Sequence, residues 1–156
     1  MIYFILSVVS SQILTISRDI EIDGFRFDAD IDMASQLFDD SKCERPSPET
    51  VVCRNVFSSI LSIQPTASSI RVHNQKIRKM YFSGQQSDFS SLNQSVKMAL
   101  GEPCEVRHIE LTFGSTGPAV QSLTQTWCLP TGLLVLAERS YLSDNFSFKY
   151  ESRLNY

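Results

Sequence analysis

The chain has 156 residues, of which 42% are hydrophobic and 20% charged, and its formal net charge at pH 7 is −3. This length is typical of one domain that buries its own core, and the composition is that of a folded globular protein. Acids and bases are mixed along the chain, so the basic stripe that supplies most nucleic-acid affinity is missing. We therefore expect no nucleic-acid partner and no polybasic contact with a membrane surface.

Residues 1–11 contain an apolar run, Ile2 to Val9, that has two interpretations. No membrane span is predicted, because a spanning helix needs about 20 apolar residues. The run suits the apolar region of a signal peptide cleaved near Ser11, although no Lys or Arg precedes it. It suits a buried first strand equally well, because Ile, Tyr, Phe and Val favour strands. Residues 12–156 are predicted to form a single α+β domain.

The four cysteines indicate an oxidising compartment, and so a periplasmic or secreted protein. No CxxC motif is present and the cysteines are far apart, which argues against thioredoxin-like chemistry and structural zinc. We favour two local disulfides, Cys43 with Cys53 and Cys104 with Cys128, because each pair brackets a segment that can turn back on itself. Each would stabilise the fold by roughly 3 kcal/mol in the chain-entropy model. Four buried free thiols are the alternative.

The elements of the first third are predicted from alternation, capping residues and turn residues. Ile16 to Phe27 is predicted as two short strands around Gly24, and Ile31 to Phe38 as a short helix. Pro46 and Pro48 predict that the next stretch is a loop.

Two further segments each have two interpretations. Thr50 to Ile63 is predicted as a strand, with a helix as the alternative for Val56 to Ile63. Ser69 to Phe82 is predicted either as one long strand or as a hairpin that turns at Asn74-Gln75.

The clearest predicted element is a helix from Phe89 to Leu100, whose apolar residues recur at helical spacing. Asp88 is placed to cap its start and Gly101 to close its end. Alternating segments bounded by turn residues then predict four sequential strands: Val106–Phe113, Val120–Leu129, Leu133–Arg139 and Phe146–Tyr150.

These elements predict an α+β fold, an antiparallel β-meander sheet with one or two short helices packed on one face. Each predicted helix is followed by a cysteine and a glutamate, in Cys43-Glu44 and again in Cys104-Glu105. This recurrence leaves open a tandem of two such units, residues 12–83 and 84–156.

The stretch from Phe89 onward resembles a pattern found in small bacterial envelope proteins. A helix ends at Gly101-Glu102-Pro103, strands lead to Trp127, and the strands Leu133–Arg139 and Phe146–Ser152 complete the unit. It is similar to the helix-plus-meander unit of the β-lactamase-inhibitor-protein fold and of the small lipoprotein of the outer-membrane barrel-assembly machine. The resemblance implies a binding module without catalytic residues. No lipobox cysteine follows the N-terminal apolar run, so an anchored role in assembly is not expected.

Two patterns are candidates for chemistry, and each has a structural interpretation that fits better. Asp28, Asp30 and Asp32 match the first ligand positions of a calcium loop, but the glycine of its sharp turn is missing. Acids at a helix N-terminus explain this cluster better. Cys104 and His108 suggest a nucleophile and its base, but no third group orients them. We therefore predict no catalytic residue, no metal and no cofactor.

The predicted function is a non-catalytic, inhibitor-like or accessory protein-binding domain of the bacterial envelope or exterior. An antiparallel sheet packed on one face leaves its other face for a partner, and exposed aromatic side chains there would anchor it. The candidate anchors, which otherwise belong to the core, are Tyr141, Phe146, Phe148 and Tyr150. An enzyme of unrecognised type and a structural subunit remain alternatives.

A small basic cluster has two interpretations, a solvated strand face or a contact with an acidic partner. It consists of Arg71, Lys76, Arg78 and Lys79.

Overall fold

The computed structural model describes residues 21–22, 25–27, 30–31, 42–112, 117–140 and 144–153. Residues 1–11 and nearly all of the helix predicted at Ile31 to Phe38 lie outside this part of the chain.

Within the described residues, ten strands and one α-helix confirm the predicted α+β class. Strands β1 and β2 pair with each other, and β3 to β10 form one eight-stranded antiparallel sheet. The strands are β1 Glu21–Ile22, β2 Phe25–Arg26, β3 Cys43–Ser47, β4 Thr50–Arg54, β5 Ala67–His73, β6 Lys76–Gln85, β7 Glu105–Thr112, β8 Ala119–Cys128, β9 Gly132–Ala137 and β10 Asn145–Ser152. A 3₁₀ turn, Gln86–Asp88, leads into the helix α1, Phe89–Leu100.

The strand order across the large sheet is β3-β4-β5-β6-β10-β9-β8-β7. It consists of two four-stranded meanders, β3 to β6 and β7 to β10, which meet where the last strand of one pairs with the last strand of the other. Because β6 ends at this seam and β7 lies at the far edge, α1 carries the chain back across one face of the sheet.

The seam between β6 and β10 holds four of the five largest fully buried side chains of the described residues, the fifth being Trp127 of β8. Phe82 lies directly opposite Phe148, and their rings stack with centroids 4.4 Å apart. Phe146 meets Phe82 edge to face at 6.0 Å and lies opposite Gly84, where a Cβ atom would come within 2.6 Å of its ring. Tyr150 continues the row and is fully buried, as are these three phenylalanines. Aromatic pairs in these geometries stabilise the fold beyond their buried area.

The helix α1 packs on the second meander through its apolar face. Phe89, Leu92 and Val96 are buried, as the helical spacing predicted. Two polar contacts fix it against β8: the Trp127 Nε1–H group donates to the Gly101 carbonyl oxygen at 2.9 Å, and Gln125 donates to the Asn93 side-chain oxygen at 2.7 Å. A buried indole N–H and a buried amide therefore both have partners, which orients the helix along the strand.

The predicted helix boundaries are confirmed, but the predicted N-terminal cap is wrong. Asp88 has helical backbone angles and makes no side-chain capping hydrogen bond, because the chain enters α1 through the 3₁₀ turn rather than from an extended residue. Gly101 closes the helix with φ of 81°, a conformation that favours glycine.

The hairpin interpretation of residues 69–82 is confirmed. Asn74 and Gln75 have φ of 48° and 60° and form the two-residue turn between β5 and β6. Positive φ at both positions is the signature of the turn that matches strand twist.

The predictions for residues 46–63 are only partly right. Pro48 lies in the turn between β3 and β4, as predicted, but Pro46 lies inside β3, since β3 is an edge strand where a missing N–H costs no ladder hydrogen bond. The strand from Thr50 stops at Arg54, because Asn55 adopts a φ of 52° that ends the extended backbone. The following loop still contributes to the core through buried apolar residues, namely Val56, Phe57, Ile60 and Ile63.

None of the helices in the described part of the chain has the length and apolarity needed to cross a membrane.

The aromatic seam predicts which residues of β10 stabilise the fold. We expect Phe148→Ala to lower the free energy of unfolding by about 3–5 kcal/mol, because it leaves a cavity between β6 and β10. The neighbouring Ser147→Ala, on the other side of the sheet, should change it by less than about 0.5 kcal/mol. Urea unfolding of both variants measures the difference. Equal losses for the two substitutions would contradict the seam as the centre of the core.

Candidate functional site

The aromatic anchors predicted near the C-terminus are core residues. Phe146, Phe148 and Tyr150 are all 0% exposed, so the structure corrects the prediction that they face a partner. They lie on the face of the sheet that α1 covers, since Tyr150 is opposite Leu134, which is opposite Trp127. Tyr141 lies outside the described residues.

Alternation along the strands places the intervening residues on the opposite side, which we name the open face. Successive side chains of a strand point to opposite faces, so Lys149 and Glu151 of β10 face away from α1. Over the central strands the open face is formed by Arg71, Lys79, Tyr81, Leu133, Val135, Lys149 and Glu151.

The register of the sheet arranges these residues in two neighbouring rows. In one row Glu151 lies between Lys79 of β6 and Leu133 of β9. In the other, Lys149 lies between Tyr81 and Val135. Each charged residue of β10 thus has an apolar residue of β9 beside it.

We name Arg71, Lys79 and Lys149 the basic centre. Lys79 Nζ lies 2.8 Å from one carboxylate oxygen of Glu151, and Lys149 Nζ lies 2.9 Å from the other. Side-chain hydrogen bonds from Lys149, which has the larger effect, and from Lys79 lower the pKa of Glu151 from 4.5 to about 2. The side chains of both lysines remain about half exposed, at 51% and 54%, so their charges are accessible from solvent.

Arg71 adds a third cation without adding a counter-ion. It lies directly opposite Lys79 in the pairing of β5 with β6, and the two positive charges share the open face. Among the described residues no carboxylate forms an ion pair with Arg71. Like charges directly opposite on a sheet are destabilising. Three cations therefore lie close together on the open face, and Glu151 forms ion pairs with two of them, Lys79 and Lys149, in a chain whose overall charge is −3.

A shallow depression of about 340 Å³ adjoins the basic centre on the open face. Leu133 and Val135 of β9 provide its apolar side, and the charged groups around it are those of Lys149, Glu151 and Arg153. The remaining lining residue is Ser152, also at the end of β10. The site can hold an apolar group with a negative charge close by.

The two disulfides predicted from the cysteine positions are confirmed, Cys43–Cys53 and Cys104–Cys128. Each links the first two strands of one meander at its edge of the sheet. Because the sulfur of Cys104 is bonded to that of Cys128, it is not a thiolate nucleophile, and the pairing of Cys104 with His108 as nucleophile and base is excluded. His108 is exposed on the edge strand β7.

The other candidate chemistry has little support in the structure. Of the aspartates in the calcium-like cluster only Asp30 is described, and its carboxylate lies 2.9 Å from Lys76 Nζ. Over the described ranges there is no group of three His, Cys, Asp or Glu residues that could hold a metal ion. His73 contacts the Thr50 hydroxyl at 2.8 Å, which is a structural role.

Sequence reasoning identified Arg71 and Lys79 but missed Lys149, Glu151, Leu133 and Val135. The signal that would have found them is the alternation of β10: if the rings at 146, 148 and 150 are buried, then 149 and 151 face outward. Half-buried Leu133 and Val135 were missed because β9 is apolar on both faces, so its sequence does not show which residues face outward.

Comparison of this chain with protein-family models, with curated proteins and with solved structures finds no match.

The low pKa of Glu151 predicts a pH-dependent contribution to stability. Its folded-state pKa of about 2 lies below its ordinary value of 4.5, so the contribution is present above pH 4.5 and is lost as the pH falls towards 2. The side chain is 42% exposed, so solvent screening limits the loss in Glu151→Gln at neutral pH to at most about 1 kcal/mol. Urea unfolding at neutral pH and near pH 2 should show the difference from wild type disappearing in acid. A difference independent of pH would contradict the ion-pair assignment.

The two disulfides should differ in their accessibility to reductant. Cys104 and Cys128 are both exposed, whereas Cys53 is fully buried beneath its neighbours. Attack by a thiolate requires access to the sulfur. We expect a graded dithiothreitol series at native pH to reduce Cys104–Cys128 first, as measured by alkylation and peptide mass. Simultaneous labelling of all four cysteines would show instead that reduction follows global unfolding.

Proposed function

We propose that this chain is a non-catalytic, inhibitor-like or accessory protein-binding domain of the bacterial envelope or cell exterior, and that it binds an acidic partner protein through the open face. The observation that carries this proposal is the basic centre, in which Arg71 lies opposite Lys79 and, among the described residues, Glu151 forms ion pairs only with Lys79 and Lys149. A fold retains an unfavourable local interaction, here the repulsion between Arg71 and Lys79, where function requires it. A carboxylate from a partner would relieve it, because an opposite charge within a few ångströms stabilises each cation.

The extent of the open face suits a protein partner. Eight strands at a spacing of about 4.8 Å give a surface roughly 34 Å wide, enough for a standard interface of about 800 Å² per partner. Tyr81 lies beside the basic centre and is half-buried, and tyrosine is enriched among residues that dominate binding energy.

The charge pattern favours a protein over a nucleic acid. Glu44 and Glu105 lie on the same face towards its two ends, each paired with an arginine, so the positive charge is confined to the middle. A phosphate backbone needs cations that continue along its path.

The extracytoplasmic location rests on the two disulfides, since such bonds persist in oxidising compartments. The inhibitor-like role rests on the resemblance of the stretch from Phe89 onward to binding modules of the envelope.

Photo-crosslinking tests whether the open face is the binding surface. A benzophenone amino acid is placed at Tyr81 on the open face, or at Met98, which is 73% exposed on α1. We expect a protein adduct from extract of the source cells at Tyr81 but not at Met98. The adduct should be lost in Arg71→Glu/Lys79→Glu, because the reversed charges repel an acidic partner.

The matched control is Arg45→Glu/Lys97→Glu, which makes the same change in net charge on the side of the sheet that α1 covers: Arg45 lies beside the core-side residues Val51 and Val72, and Lys97 lies on α1. This variant should keep the adduct, with near-UV circular dichroism showing that both double variants are folded. An adduct that forms equally at both positions, or that survives reversal of Arg71 and Lys79, would contradict the proposal.

A further inference from the structure

We infer that the partner segment carries an apolar side chain flanked by carboxylates, and that the apolar side chain binds in the depression beside Leu133 and Val135 while the carboxylates contact the basic centre. This inference deepens the proposed function and depends on it. It specifies the chemistry of one segment of the partner rather than only the sign of its charge.

The composition of the depression sets the first requirement. Leu133 and Val135 are both half-buried, and they lie on the open face opposite Glu151 and Lys149 of β10. Covering them with an apolar group would remove further apolar surface from water, which is favourable in proportion to the area buried. A volume of about 340 Å³ accommodates the side chain of one residue.

The charges around the depression set the second requirement. Lys149 lines it directly, and Lys79 is linked to Lys149 through the carboxylate of Glu151. Arg153 follows the end of β10, two residues after Glu151; it also lines the depression and is exposed. A ligand entering with its apolar group over β9 therefore has cations on the β10 side, where carboxylates on neighbouring partner residues can reach them.

Glu151 explains why both requirements must be met together. Its carboxylate already accepts hydrogen bonds from Lys79 and Lys149. An acidic partner segment is therefore attracted only by the positive charge that Glu151 leaves uncompensated. Because the exposed cations are well solvated, their attraction for a carboxylate alone is modest. The apolar contact supplies the remaining affinity and determines the register of the segment.

Three short peptides separate these contributions, with binding followed by changes in the amide NMR signals of the intact protein. The first is acidic with a central leucine, the second has glycine in place of that leucine, and the third keeps the leucine but has amides in place of the acids. We expect the first to bind about tenfold more tightly than either of the others. Its signal changes should centre on Val135 and Lys149.

Two substitutions with matched chemistry test the location. Leu133→Ser removes an apolar side chain from the depression, and Val106→Ser removes one that is 52% exposed on the edge strand β7. The first variant should lose the preference for leucine over glycine while keeping the preference for acids over amides. The second should bind all three peptides as the wild type does.

The outcomes separate failure of this inference from failure of the proposed function. Equal binding of the leucine and glycine peptides, or a leucine preference that Leu133→Ser does not change, would overturn the apolar site. Absence of binding by all three peptides would overturn it as well. In each case the proposed function is tested separately: a crosslink at Tyr81 that is lost in Arg71→Glu/Lys79→Glu would still show that the open face binds an acidic protein.

Discussion

The pairing of β6 with β10 is the constraint on which the rest of the structure depends. It is where the two meanders join, and without it the chain would form two separate four-stranded sheets. The pairing is stabilised by the buried rings of Phe82, Phe146, Phe148 and Tyr150, a concentration of aromatic surface that only this register brings together. Successive side chains of a strand point to opposite faces. The register that buries these rings on one face therefore places Tyr81, Lys79, Lys149 and Glu151 on the open face.

The remaining elements secure the two outer parts of this sheet. The helix α1 covers the second meander and is held there by Trp127 and Gln125. The disulfides link the outermost hairpin at each end, Cys43–Cys53 on one side and Cys104–Cys128 on the other. Edge strands are otherwise the parts of a sheet that open most easily, so covalent links at both ends preserve the broad surface between them.

The electrostatics of the open face are costly for the isolated protein. Arg71 faces Lys79 across the strand pair, and Glu151 compensates only part of the positive charge. The aromatic packing on the other side of the same strands offsets this cost, since each buried ring contributes several times the energy of an exposed ion pair. The open face and the core are thus two sides of one strand pair, and the stability of the core permits the charge pattern of the open face.

The sequence by itself determined the local features of this protein. Helical spacing and Gly101 set the bounds of α1, Asn74-Gln75 marked the hairpin, and the cysteine positions favoured the correct local pairs. These features depend on residues close together in the chain, where periodicity and turn chemistry are informative. The early end of β4 at Asn55 was missed, because its positive φ depends on the packing of the loop that follows.

Only the tertiary structure decided which face of the sheet is core and which is the open face. Once residues 145–152 form a strand, alternation places Phe146, Phe148 and Tyr150 on one side and Lys149 and Glu151 on the other. Which of the two sides is buried depends on the face of the sheet against which α1 packs. The register that places Arg71 opposite Lys79 depends on the pairing of β5 with β6. Alternation specifies that two faces exist, whereas contacts between residues distant in the chain assign each face to core or to solvent.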